Sequence, residues 1–184
     1  MSKLKKVWNF LWHEDSVASW IVNIILAIVI VRFIIYPVMG LILGTSYPLV
    51  AVISSSMEHN ANFEEWWSQN GEWYLKNGIS ETQFKTFPYK NGFNKGDIML
   101  LISPKNIKIG DVLVYKTNYP TPIIHRVIKK DQNTYITKGD NNRDKDPNKA
   151  EQLVGKAVFR IPWLGYIKII AVDYVLNPIL KILR

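Results

Sequence analysis

Two segments, GDIMLLI at residues 96–102 and GDVLVYK at residues 110–116, decide the fold class of this chain. In each, a Gly-Asp pair typical of a turn precedes an apolar run of strand length. Residues 123–128, 134–138 and 154–161 have a similar composition. We therefore predict that this half of the chain is β-structure, with residues 141–150 forming a polar loop.

One further strand is predicted on the N-terminal side, at residues 48–53. This apolar run leads directly into the polar sequence SSSME at residues 54–58. Reactive side chains are often presented at the end of a rigid element. The serine cluster is therefore a candidate functional position.

An aromatic-rich segment at residues 59–93 interrupts the β pattern. It contains nine Phe, Trp and Tyr side chains together with Asn, Glu and Gly, and it predicts short helices or an irregular insert. Two interpretations remain open. The aromatics form a small core of their own, or they form a lid or a membrane-dipping rim, because Trp and Tyr favour lipid interfaces.

Composition limits the possible functions. The chain has 184 residues, enough for one domain and an anchor, and a formal net charge of +8. Because there are no cysteines, disulfides and thiolate metal sites are excluded. The positive charge favours an anionic surface. We expect anionic lipid rather than nucleic acid, since no nucleic-acid motif accompanies the basic residues.

Residues 17–35 are almost wholly apolar, and residues 38–43 extend this run beyond Pro37. Roughly 20 apolar residues suffice to cross a bilayer as a helix. Lysines occur before the run but not in the stretch after it, which predicts a cytoplasmic N-terminus. We expect an uncleaved single-pass anchor in the cell membrane. A buried core helix is the alternative.

These patterns divide the chain into four parts. We assign a cytoplasmic tail to residues 1–16, a transmembrane anchor to 17–44, an extracytoplasmic domain to 45–162 and an apolar C-terminal segment to 163–184. The last segment is interrupted by charges and a proline. We favour an interfacial amphipathic helix there, with a sheet-packing helix and a second span as alternatives.

A serine, a histidine and aspartates recur in the order needed for nucleophilic catalysis. The candidates are Ser56, His125, Asp140 and Asp146. A serine hydroxyl needs a base to take its proton. Imidazole suits that task near neutral pH, and a carboxylate fixes its tautomer. Each residue alone has an ordinary structural explanation, so the combination carries the prediction.

The same residues resemble the motifs of type I signal peptidases, in the branch of archaea and the endoplasmic reticulum. The nucleophile motif is similar at residues 54–59 (SSSMEH), the Gly-Asp-Val strand at 110–116, the His-Arg-Val motif at 125–127, and the Lys-Gly-Asp-Asn-Asn motif at 138–142. A second aspartate follows at Asp146. Bacterial relatives usually carry a lysine where His125 stands.

This resemblance implies a mainly β catalytic domain of coiled antiparallel sheets. It implies Ser56 as nucleophile, His125 as general base, and Asp146 as the residue that orients the imidazole, with Asp140 in support. It also implies an oxyanion hole formed by the Ser56 N–H and the Ser54 hydroxyl.

Two positions depart from the family pattern. Ser55 replaces a glycine, which matters if that position needs a positive φ angle. His59 replaces a proline and adds a second imidazole near the nucleophile. Neither change removes a group that the chemistry needs.

We expect a membrane-bound serine endopeptidase that removes signal peptides from secreted precursors, cutting after small residues. We expect no metal or other cofactor. Expected partners are the precursors, the lipid bilayer and possible subunits of a complex. One alternative is a membrane-anchored binding or scaffold protein with an inactive protease-like fold. A self-cleaving regulator is a weaker one, because those proteins use a Ser/Lys pair and a DNA-binding domain.

Overall fold

The computed structural model describes residues 2–132, 134–147 and 149–170. The chain forms two compact units, residues 1–42 and residues 43–184. The first is helical and the second contains the sheet.

The helical unit begins with α1 (Lys3–His13). After a short break come α2 (Val17–Ile30), a π-helical segment (Val31–Ile35) and α3 (Tyr36–Leu43). These three run on as one helix of 27 residues, and it alone among the described residues is long and apolar enough to cross a membrane, judged by length and composition. Helix α1 was not predicted from the sequence.

The π-helical segment lies directly before Pro37. Proline lacks an N–H, and its ring collides with the carbonyl four residues earlier in an ordinary α-helix. Here the Tyr36 N–H bonds to the carbonyl of Val31, five residues back. This wider turn lets the apolar helix continue past Pro37.

Two polar residues of α2, Ser19 and Asn23, bind the end of α1. The Ser19 hydroxyl donates to the Phe10 carbonyl at 2.6 Å, and the Asn23 amide donates to the Leu11 carbonyl at 2.9 Å. The last carbonyls of a helix have no partner within it. The polar side chains that interrupt the apolar run therefore serve to cap α1.

The second unit is organised around a six-stranded antiparallel sheet, which confirms the predicted fold class. Its strands are β1 (Leu49–Ala51), β2 (Ile98–Ile102), β3 (Val112–Lys116), β4 (Ile123–Asp131), β5 (Thr134–Lys138) and β6 (Gln152–Ile161). They lie in the order β1-β2-β6-β3-β4-β5. β1 and β5 are the edge strands, and β6 and β3 lie in the middle.

The core lies against β2, β3 and β4. It contains Val52, Met57, Phe93, Met99, Leu101, Val112, Val114, Ile124 and Ala157. Met57 is fully buried although it directly follows the candidate nucleophile. Its side chain therefore anchors the serine loop to the sheet.

The aromatic-rich segment forms α4 (Phe63–Lys76) and α5 (Glu81–Phe84). The Asn62 side chain caps α4 by accepting from the Glu65 N–H. The aromatic side chains form a core of their own with two isoleucines: Phe63, Trp66, Trp67, Tyr74, Ile79, Phe84, Phe87 and Ile128. Of the two interpretations drawn from the sequence, the separate core is the one observed.

At the C-terminal end, α6 (Gly165–Ile170) follows β6. The Gly165 N–H donates to the Gly96 carbonyl, beside the start of β2. The prediction of an interfacial helix at 163–184 falls largely on residues 171–184, which lie outside the described residues.

Candidate active site

Ser56 lies in the loop that follows β1. The Glu58 N–H donates to the Ser55 carbonyl, and the Phe93 N–H donates to the Met57 carbonyl at 3.0 Å. These bonds close a turn around Ser56, while Met57 is buried beneath it. The Ser56 hydroxyl is thus held at the surface on a fixed backbone.

His125 lies near the start of β4, opposite Leu113 of β3. It is 7% exposed. Pairing with β3 fixes the backbone at this position, so the imidazole is directed by the sheet rather than by a loop. Its environment leaves few rotamers open.

The structure brings Ser56, His125 and Asp146 into a line. His125 Nε2 lies 2.9 Å from Ser56 Oγ, and His125 Nδ1 lies 2.7 Å from Asp146 Oδ2. An ionised Asp146 accepts a hydrogen bond from a protonated Nδ1. Nε2 is then left as the acceptor for the serine hydroxyl, which is the tautomer that nucleophilic attack requires.

Asp146 is fixed by three further bonds. Its N–H donates to the Thr137 carbonyl, and its Oδ2 accepts from the Thr137 hydroxyl at 2.6 Å and the Tyr115 phenol at 2.9 Å. Burial opposes ionisation, but hydrogen bonds from His125, Thr137 and Tyr115 outweigh it and hold the pKa of Asp146 below its usual range. The loop between β5 and β6 therefore presents a carboxylate to the imidazole.

Asp140 has different partners. Its carboxylate accepts two bonds from Arg126, at 2.9 and 2.7 Å, and one from the Tyr74 phenol at 3.0 Å. His59 Nε2 lies 3.1 Å from Oδ2. Burial opposes ionisation here too, but the Arg126 guanidinium and His59 hold the pKa of Asp140 well below its usual range.

Asp140 acts on the serine through its loop. The neighbouring Asn141 donates from its N–H to the Ser56 carbonyl at 2.8 Å, and from its amide to the Ser55 carbonyl at 3.2 Å. A side chain on Gly139 would meet the Ser56 carbonyl at 2.8 Å. The loop thus packs on the nucleophile backbone, and the buried Asp140–Arg126 pair fixes the loop.

The other two serines of the cluster differ in position. Ser54 Oγ lies 3.1 Å from Ser56 Oγ. Ser55 is not among the described residues with a positive φ. The replacement of glycine at that position therefore causes no backbone strain.

His59 has a structural role that sequence reasoning missed. Its side chain is fully buried, and its ring stacks on Trp66 with centroids 3.7 Å apart and planes 6° from parallel. Together with its contact to Asp140, this joins the aromatic insert to the loop beside Ser56. An imidazole in place of a proline, next to a tryptophan-rich segment, was the available signal.

Lys138 offers a second basic group near the site. Burial lowers its pKa to about 8, against the opposing influence of the Asp140, Asp146 and Asp144 carboxylates. Its Nζ, however, donates to the carbonyls of Gly139 and Asp140. The amine is thus engaged by backbone, while the serine hydroxyl is met by His125.

Asp144 lies on the exposed part of the loop. Its Oδ1 accepts from the Trp73 indole at 3.2 Å and from the Lys145 N–H. The carboxylate nearest the imidazole is instead Asp146. Among the described residues, no group of three or more His, Cys, Asp or Glu side chains is placed to hold a metal ion.

Fold and site together define a class: an antiparallel β protein whose serine, histidine and aspartate have the geometry found in serine hydrolases. No protein-family model matches the chain. Individual relatives narrow the class. The signal peptidase complex catalytic subunit SEC11 of Scheffersomyces stipitis is 28% identical over 159 residues, covering 78% of this chain and 76% of that protein.

The proteins of the same name from Candida tropicalis and Saccharomyces cerevisiae are each 35% identical over 94 residues, which is 42% of this chain. The aligned part spans 57% of the first and 56% of the second. The chain is thus similar to catalytic subunits of signal peptidase complexes.

Proposed function

We propose that this chain removes signal peptides from secreted precursors, using Ser56 as nucleophile, His125 as general base and Asp146 as the orienting carboxylate. One observation carries the proposal. The Ser56 hydroxyl lies 2.9 Å from the His125 imidazole, and the imidazole lies 2.7 Å from the Asp146 carboxylate. Both distances are within the range expected of a working nucleophile and base.

In the acylation step, Ser56 Oγ attacks the carbonyl carbon of the residue before the cleaved bond. Its proton passes to His125 Nε2, and Asp146 stabilises the imidazolium that forms. The oxyanion accepts bonds from the Ser56 N–H and the Ser54 hydroxyl, each contributing about 3 kcal/mol. The imidazolium then protonates the departing amine, the C–N bond breaks, and the signal peptide remains as an ester on Ser56.

Deacylation repeats these roles with water. His125 takes a proton from the water, whose oxygen attacks the ester carbonyl. The proton returns to Ser56 Oγ as the ester bond breaks. The signal peptide leaves as a carboxylate, and the site is restored.

The proposed substrate follows from the position of Ser56. Ser56 stands about 12 residues after the end of α3. A chain of that length spans at most about 40 Å when fully extended. Secreted precursors carry their cleavage site just beyond an apolar segment, after small residues. We place the segment before the cleaved bond along β1, the edge strand that leads to Ser54.

We also propose a membrane location for the helical unit. Its long helix exposes apolar side chains all round, including Ile24, Ile28 and Phe33, as a lipid-facing helix does. In α1, the apolar Trp8 and Trp12 are exposed on a helix that also carries three lysines. That composition suits an anionic lipid surface.

The relatives are named as catalytic subunits of a signal peptidase complex. We propose that this chain also acts with other subunits. Affinity purification of the tagged chain in mild detergent, followed by native mass measurement, tests this. A mass equal to that of the chain with its detergent would contradict it.

The decisive test of the function uses purified protein in detergent and a secretory precursor. We expect a single cut at the signal peptide boundary, detected by N-terminal sequencing of the product. The Ser56→Ala protein, purified identically, is the control for a contaminating protease. Equal cleavage by both proteins would sink the proposal, as would an uncut precursor.

The pH profile tests the base. Since His125 must be neutral to accept a proton, kcat/KM should fall on the acid side as the imidazole becomes protonated. A lysine base would place that fall higher. An acid limb at or above about pH 8, or full activity of His125→Ala, would rule out histidine as the base.

A further inference from the structure

The largest groove described beside the serine loop lies between α4 and the loop after β5. It has a cavity volume of about 440 Å³. Its walls include Glu72, Trp73 and Lys76 from the helix, and Lys138, Asn141 and Arg143 from the loop. None of these side chains has a role in the chemistry proposed above.

One lining residue of the groove contacts the backbone of the nucleophile loop. Asn141, which lines it, donates from its backbone to the Ser56 carbonyl and from its side chain to the Ser55 carbonyl. β1 and Ser54 lie on the other side of Ser56 along the chain. A polypeptide that follows β1 toward the cleaved bond and continues past Ser56 therefore meets Asn141 and then the groove.

The groove carries an excess of positive charge. Three of its side chains are basic and one is acidic. The acidic one, Glu72, is paired with Lys76 at 2.6 Å. Lys138 Nζ donates to the Gly139 and Asp140 carbonyls, so the exposed Arg143 is the cation best placed to meet a substrate. The nearby Asp144 already accepts from the Trp73 indole.

Its floor also has an apolar part. The Trp73 ring lies 5.2 Å from Lys138 Nζ and is half-buried. An acidic side chain has a short aliphatic stem and a terminal carboxylate. It can pack its stem on the indole and direct its charge toward the exposed Arg143.

We propose that this groove binds the first residues after the cleaved bond and favours an aspartate or glutamate among them. The inference rests on the proposed function and deepens it, because it assigns a preference to the mature part of the precursor. The loop that supports the nucleophile thereby also selects the substrate.

The test compares three fluorogenic peptides, identical up to the cleaved bond, with Asp, Ser or Lys at the second and third residues beyond it. We expect kcat/KM to be about threefold to fivefold higher for the Asp peptide than for the Ser peptide, as for a solvent-facing ion pair, and lower for the Lys peptide. Arg143→Glu should reverse this order.

Lys105→Glu is the matched control, because it makes the same charge change at an exposed residue outside the groove. Equal rates for the three peptides, or an equal effect of Lys105→Glu and Arg143→Glu, would overturn the inference. Cleavage of the Ser peptide tests the proposed function independently of the charge preference.

Binding measures the groove without cleavage. Fluorescence anisotropy of labelled peptides with the Ser56→Ala protein should show tighter binding of the Asp peptide, and Arg143→Glu in that background should reverse the preference. Equal affinity for the Asp and Lys peptides would refute the preference even if cleavage itself were absent.

Discussion

Two serine hydroxyls that lie within a few ångströms of each other have different proposed roles. Ser56 Oγ meets the imidazole and Ser54 Oγ meets Ser56 Oγ. Only one of them is placed to lose a proton to His125. The other is placed to donate to the oxygen that becomes charged.

Substitution of each serine should separate these tasks. We expect Ser56→Ala to lower kcat by about 10⁶, because the nucleophile is lost. Ser54→Ala should lower it by about 10² to 10³, the effect of removing one oxyanion donor. Single-turnover cleavage of one precursor measures both. A greater loss for Ser54→Ala would show that the nucleophile is assigned to the wrong serine.

The loop aspartates allow a second comparison. Asp146→Asn should lower kcat by about 10⁴, because the amide presents the wrong group to Nδ1 of His125. Asp144→Asn should leave activity unchanged, since its carboxylate is exposed and bonds to Trp73 and Lys145. Circular dichroism of both variants controls for folding. A severe loss at Asp144 with a tolerant Asp146 would mean that the orienting residue is misassigned.

At the scale of elements, the Gly-Asp turns and apolar runs were sufficient to locate the sheet. β2 was predicted with its observed bounds, and β3 to within one residue. Both strands are short, and each directly follows a Gly-Asp turn. Their local pattern and their tertiary environment agree.

Other elements could not be predicted because their reason lies in tertiary contacts. Helix α1 is capped by Ser19 and Asn23 of the next helix, and in the sequence these residues resemble mere interruptions of an apolar run. The pairing of His59 with Asp140 joins residues 81 positions apart. Neither contact leaves a periodic signal in the chain.

The aromatic insert therefore stabilises the site loop as well as itself. We expect Trp66→Leu to lower stability by about 2–4 kcal/mol, because it removes core volume and the stack on His59. Cleavage should also decline, since the Asp140 loop loses a support. Thermal unfolding followed by near-UV circular dichroism measures the loss of stability.

Trp8→Leu is the control for that measurement, because Trp8 is exposed on α1 and is not a member of the insert core. Unchanged unfolding and unchanged cleavage in Trp66→Leu would show that the insert and the site are independent.

At the scale of the whole molecule, the buried carboxylates make the fold sensitive to acid. The pKa values of Asp140 and Asp146 are lowered by their partners, whereas an unfolded aspartate titrates near 3.9. Their contribution to stability is therefore fully present above about pH 4. It is lost as pH falls through the lower pKa values of the folded state.

We expect the unfolding temperature to fall steeply below about pH 4. Asp140→Asn should already be destabilised at pH 7 by about 3–5 kcal/mol, because Arg126 is left buried without its counter-charge. When the pH is lowered further, the Asp140→Asn protein should lose less stability than the native chain. Parallel curves for the two proteins down to pH 2 would exclude Asp140 as a source of the acid sensitivity.

The orientation of the chain in a membrane is the last property at this scale. Lys3, Lys5 and Lys6 precede the long helix, and no lysine or arginine occurs between residues 33 and 75. Basic residues are retained on the cytoplasmic side. We therefore expect the N-terminus in the cytoplasm and the sheet on the opposite side, where secreted precursors emerge.

Protease protection of sealed vesicles tests this orientation, with epitope tags at the N-terminus and after Gly78, an exposed turn of the insert. In vesicles with the cytoplasmic face outward, protease should remove the first tag and spare the second until detergent is added. Replacing the three lysines by glutamate should weaken this preference, because the positive charge that retains the N-terminus is gone. Cleavage of the second tag in intact vesicles that contain the native chain would place the sheet in the cytoplasm. There, this chain would not meet a translocated precursor.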